Sequence, residues 1–188
     1  MNAKKEQNPT KINYAKRASK ECAYLAVFVA LLIAVQLCLS LVPGVELVTV
    51  LFVAYAFVFG VKRSVIAAIA FSLLRQLVFG FFPTVLVLYL VYFPLLAITF
   101  GALGKKLRLS LRALIVLTVI ACGCSACFTL LDNVITPLWY GYSARAAEIY
   151  FYASFSVMLP QVICAAVSVF FLFLPLQKAF SLVKRGLQ

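Results

Sequence analysis

Histidine is absent from this sequence, and aspartate and glutamate together supply only five residues. The first absence removes the commonest general base and the commonest metal ligand. There is no G-x-S-x-G, no H-E-x-x-H, no P-loop and no pair of acids within an apolar run. The chain is therefore read as not an enzyme, with no cofactor expected and no usual means of holding ATP. Charge is scarce overall, at 12% of the 188 residues, where soluble domains carry about 25%. A water-soluble globular fold is excluded, and with it intrinsic disorder and a disulfide-stapled module. An alternating apolar/polar pattern of the barrel type is missing too.

What is abundant is apolar: 65% of the residues, for a mean hydropathy of +1.09. A bilayer core calls for about 20 apolar residues per helix. Reading between charges gives six runs, 22–42, 47–61, 64–82, 84–103, 113–131 and 150–176. Only the third carries a charge, Arg75, and the sixth is interrupted by Pro160. The first is too long, and lacks the A-x-A-like exit, for a cleavable signal. The expected fold is all-α, a polytopic six-transmembrane-helix bundle spanning 21–188, preceded by a polar tail over 1–20.

The net charge of +12 does not point to nucleic acid, because the basic residues sit between apolar runs. Lys4, Lys5, Lys11, Lys16, Arg17 and Lys20 precede the first run. Lys62 and Arg63 follow the second, Lys105, Lys106, Arg108 and Arg112 follow the fourth, and Lys178, Lys184 and Arg185 close the chain. With six crossings, all of these fall on one side, which the positive-inside rule makes cytoplasmic. Both termini are expected there. The other side keeps Arg145, in the stretch 132–149, which also holds Trp139, Tyr140 and Tyr142. That stretch is expected to be a long outer loop, acting as a lid, as an interfacial aromatic belt, or as both.

At ~1.5 Å per helical residue, Gln36, Glu46, Thr49, Arg75, Tyr89, Tyr92 and Gln161 stand roughly 18–26 Å above the nearest cytoplasmic charge. The long polar side chains thus gather in the outer half, while the inner half is nearly all Ala, Val, Leu, Ile and Phe. An intramembrane Arg costs at least ~2.5–3.5 kcal/mol on insertion scales, so it faces a partner or a wet cavity. Glu46–Arg75 and Asp132–Arg75 are the candidate pairs. The band holds more hydrogen-bonding capacity than one ion pair uses, and polar groups converging among aromatics describe a small-molecule site. In this reading Arg75 meets a negative group, while Glu46, Thr49, Gln76, Asn133 and Gln161 supply hydrogen bonds. Tyr89, Tyr92, Trp139 and Tyr140 stack or cap. A sealed inner half argues against a channel, and without repeated halves a self-sufficient secondary transporter is the alternative, not the first choice. A scaffold without a ligand is the remaining rival.

Ala26, Ala30 and Ala34 recur every fourth residue on one face of the first helix, a spacing that admits a close helix partner. Cys122, Cys124 and Cys127 form C-x-C-x-x-C, but on a helix they diverge. They read as small packing residues and not as a metal site.

Together these features resemble the substrate-binding S component of energy-coupling-factor vitamin transporters. The resemblance rests on six helices in about 190 residues, the Ala26-x-x-x-Ala30 pattern, and the stretches LVPGVELVTVLFVAYAFVFGVKRSVIAAIAFSLLRQLVFGF (41–81) and YLVYFPLLAI (89–98). It implies a bacterial cell-membrane protein that captures a vitamin-like micronutrient from outside. It further implies a complex with a transmembrane coupling subunit and two ATPase subunits, docked through Ala26, Ala30 and Ala34. No motif in the chain identifies the substrate.

Overall fold

The computed structural model describes residues 9–42 and 44–187, with side chains from residue 18 onward. Every described element is a helix: α1 (Pro9–Leu39), α2 (Val48–Phe59), α3 (Val61–Phe79), α4 (Pro83–Lys106), α5 (Leu111–Tyr140) and α6 (Ala144–Gly186). Four segments are long and apolar enough to cross a membrane, namely Ala18–Leu39, α4, α5 and α6. That is the character of a membrane protein.

Two elements fall outside those four, for different physical reasons. α3 carries Lys62, Arg63 and Arg75 within its 19 residues. α2 has only 12 residues, about 18 Å of helix. It can be this short because no side of it needs to meet lipid. It lies at the centre of the bundle, packed on α6, α4, α3 and α1, and ten of its residues, from Val48 to Val58, are buried. The remaining helices follow one another around it in the order α1, α3, α4, α5, α6.

One sequence expectation is made more specific and another is corrected. The polar segment 9–20 is helical and continues into α1, since KINYAKRASKECAY holds no glycine or proline to stop it. Residues 1–8 of the expected tail lie outside the described residues. The stretch 132–149 is not a loop. α5 runs through Pro137 to Tyr140 and α6 begins at Ala144. Gly141, in the left-handed region at φ 63°, ends the first helix, and the Ser143 hydroxyl accepts a hydrogen bond from the Ala146 N–H at 3.3 Å to start the second. The polar composition reflects helix ends leaving an apolar environment, where good helix formers such as the alanines of ARAAE still dictate a helix.

The connections alternate between two ends of the bundle. One end carries the α2–α3 and α4–α5 turns and the start of α1, and there the basic residues gather. Arg63 pairs with Glu21 at 2.6 Å, and the Lys184 ammonium donates to the Val58 carbonyl at 2.6 Å. The α2–α3 turn is one residue, Gly60, at φ 80°, and α4 lies directly on it. A Cβ at Gly101 would stand 2.7 Å from the Val61 nitrogen, and one at Gly104 would overlap the Phe57 carbonyl. The opposite end carries the α1–α2, α3–α4 and α5–α6 connections.

The seam between α1 and α6 closes the circle only toward the basic end. There the Phe28 ring stacks on Tyr55 at 3.9 Å and meets Phe180 edge-on at 5.7 Å. Aromatic pairs in these geometries add to their area burial, so this corner is a packed aromatic plug. Toward the opposite end α1 and α6 part.

Candidate functional site

Where α1 and α6 part lies a cavity of about 350 Å³, about a dozen water volumes. Gln36 and Leu39 of α1, with Ser40 just past its end, form one wall, Val157 and Gln161 of α6 the other, and Arg75, Phe79 and Phe128 the floor. Val42, Gly44, Val45, Glu46 and Leu47 of the α1–α2 connection form the rim. That connection is docked on α6. The Glu46 N–H donates to the Cys164 sulfur at 3.4 Å, and the Cys164 thiol donates to the Glu46 carbonyl at 3.2 Å. Gly44, at φ 77°, lies so near Pro160 that a Cβ would come within 2.6 Å of that ring.

Arg75 is held without a carboxylate. Its Nε donates to the Gln36 side-chain oxygen at 3.0 Å, and the Gln36 amide nitrogen donates to the Tyr89 hydroxyl at 2.7 Å. Its guanidinium lies 4.6 Å from the ring centres of both Phe79 and Tyr89, a position that attracts a cation to each ring face. Its Nη1 is buried and has no hydrogen-bond partner. The expected Glu46–Arg75 and Asp132–Arg75 pairs do not form. Asp132 instead accepts from the Thr136 and Tyr150 hydroxyls, and Glu46 accepts from the Thr49 hydroxyl at 2.7 Å. Each acid is satisfied by hydroxyls on its own side of the bundle, which leaves Arg75 with dipoles and ring faces only.

Gln161 faces the cavity although it is 7% exposed, and its side-chain oxygen accepts from Thr129 at 3.2 Å. A second hollow of about 290 Å³ between α5 and α6, lined by Asp132, Tyr150 and Ser154, shares Phe128, Val157 and Gln161 with the first. The two are adjoining lobes.

Of the residues expected at a site, the structure brings Glu46, Arg75 and Gln161 to the lining of one cavity, with Thr49 and Tyr89 holding two of them. Gln76 accepts from the Phe82 N–H at 3.1 Å and so caps the α3–α4 turn. Tyr92 is buried in the core with an unpartnered hydroxyl. Asn133 donates to Ser154 at 2.7 Å, tying α5 to α6. Trp139 and Tyr140 are exposed at the end of α5, away from the cavity lining. Gln36 was visible in the polar band but not singled out as a contact; Ser40, Phe79 and Phe128 carry no signal that separates them from other helix-end or core residues. Ala26, Ala30 and Ala34 are all exposed along α1, because Phe28, Val29 and Leu32 make its packing face. Cys122, Cys124 and Cys127 are free thiols on α5, the last of them exposed.

Burial pushes the Glu46 carboxyl above its ordinary value of 4.5, against the opposing pull of the Thr49 and Gln161 side chains. The folded state then binds this proton more tightly than the unfolded chain, so stability is lost as pH rises from 4.5 through the folded value. Glu46→Gln keeps the shape and removes the charge. Its thermal unfolding should match the parent at about pH 4 and lie above it at about pH 8. Parallel curves at the two pH values would contradict the assignment.

Compared with protein-family models, curated proteins and solved structures, the chain matches none.

Proposed function

We propose that this chain is a substrate-binding membrane subunit of the S-component type. In this reading all six helices cross or fill a bacterial cell membrane, with both termini and the basic end in the cytoplasm. The cavity faces outward and captures a small molecule, vitamin-like in size, with a negative group for Arg75. Delivery inward takes place when the chain docks on a transmembrane coupling subunit carrying two ATPase subunits.

One observation carries the reading. A half-buried cation without a carboxylate lines a cavity at one end of the bundle, while aromatic rings plug the same seam at the other. A half-closed bundle binds but has no through-path of its own, so an external engine is needed for movement. The basic end supports the orientation, since Lys and Arg favour the cytoplasmic side. The exposed Ala26, Ala30 and Ala34 stripe supports a helix partner on α1, because small residues let two backbones approach.

The direct test is mass spectrometry of small molecules released from the full chain purified in mild detergent. An acidic molecule, lost from Arg75→Ala, is the expected result; a wild-type preparation that releases none contradicts the reading. For the partner face, Ala26→Trp and Ala30→Trp should abolish co-purification of ATPase subunits from the native membrane while leaving the released molecule in place. Unchanged co-purification would remove that face from the account.

A further inference from the structure

The same cavity presents a second charge-bearing group. Glu46 lies on the rim and Arg75 on the floor, yet the two form no ion pair, although opposite charges sharing a partly buried hollow attract strongly. Both are pinned. Glu46 is fixed at its backbone by Cys164 of α6 and at its carboxylate by Thr49 of α2. Arg75 is fixed by Gln36 of α1 and by the Phe79 and Tyr89 faces. Five different anchors therefore hold two opposite, unpaired groups on the lining of one cavity. Structural ion pairs close up; separated ones leave each charge to be met by something else.

We infer that the ligand is a zwitterion, with a carboxylate or similar anion at Arg75 and an ammonium-type cation at Glu46. This rests on the outward-binding reading above and adds the second charge to it. A molecule with only a negative group would bring no counter-charge to Glu46, whose buried carboxylate gains most from a cation. A molecule with only a positive group would add like charge beside Arg75. Gln161, between the two lobes of the hollow, can bond the polar middle of such a molecule, and Phe128 offers a ring face to its apolar part.

The test uses the full chain in mild detergent and the common α-amino acids, each paired with the carboxylic acid lacking its amine and the amine lacking its carboxylate. Shifts in unfolding temperature and equilibrium dialysis report binding. At least one amino acid should bind, each of its single-charge analogues at least tenfold more weakly. Glu46→Gln and Arg75→Gln, which keep side-chain length, should each weaken the zwitterion at least tenfold. An amine-free acid that binds as well as its parent, with Glu46→Gln indifferent, overturns the zwitterion and leaves the anion-binding reading standing. If no probe binds, the zwitterion is overturned. The molecule released from the purified protein then decides the broader reading: an acid upholds it, and none sinks it.

Discussion

Replacing Arg75 by alanine should weaken ligand binding ten- to about a hundredfold while the protein still folds. A hydrogen bond to a charged group is worth about 1.5–3 kcal/mol, and each 1.4 kcal/mol is tenfold in affinity. The loss falls on binding because Arg75 has no carboxylate to leave unpaired. The side chain that accepts its hydrogen bond, Gln36, keeps its own bond to Tyr89 at 2.7 Å. Removing an unsatisfied buried nitrogen also relieves a desolvation cost that offsets the two lost ring contacts. Arg75→Lys is an informative companion. A lysine keeps the charge but not the planar fork that lies across Phe79 and Tyr89, so it should recover only part of the affinity. Measured by equilibrium dialysis against the released molecule, an unchanged Arg75→Ala constant would remove the guanidinium from the site.

The largest effect on folding is expected at Gly104. Its Cα faces the Phe57 carbonyl at the close of α2, and any Cβ there overlaps backbone, not a side chain that can swing away. Gly101, one turn earlier, lies on the Val61 nitrogen in the same way. Together they let α4 lie against the single-residue turn at Gly60, which fixes where α3 starts and so where Arg75 stands. Gly104→Leu should cost about 3 kcal/mol or more, as overpacking against an unyielding neighbour does. It should also reduce the monodisperse fraction in detergent. Gly123 on α5 is the control, since a Cβ there meets nothing within 4 Å. Gly123→Ala should stabilise by about 0.5–1 kcal/mol through helix propensity alone. Equal unfolding temperatures for the two variants would contradict the close α2–α4 seat.

Height along a helix is legible in a sequence; direction around it is much less so. Arg75 stood out because a charge within an apolar run has a known cost, and counting residues from the nearest basic loop put Gln36, Glu46 and Gln161 at its level. The same count could not tell that Gln76, beside Arg75 in the chain, turns away to cap Phe82. Nor could it tell that Asn133 spends its amide on Ser154. The expected Arg75 pairs failed for a related reason. Thr49, Thr136 and Tyr150 lie within reach of the acids on their own or adjoining helices, and such local partners win over a distant guanidinium. The polarity of 132–149 suggests a loop, but polarity is not irregularity, and helix occupies most of the stretch. Beyond the apolar region a helix such as the start of α6 carries polar residues without unwinding. Gly141 and Ser143 mark the true turn.

Sidedness of access is the property on which everything else depends. Single cysteines placed in a cysteine-free background, Ser40→Cys at the cavity wall and Phe28→Cys in the aromatic plug, can be exposed to a membrane-impermeant maleimide. Intact cells and inside-out vesicles present the two faces in turn. Labelling of Ser40→Cys in intact cells, blocked by the bound molecule, with Phe28→Cys unlabelled from either side, is the predicted result. Reaction of Ser40→Cys only in inside-out vesicles, or of Phe28→Cys from both sides, would contradict a cavity that opens outward above a sealed seam.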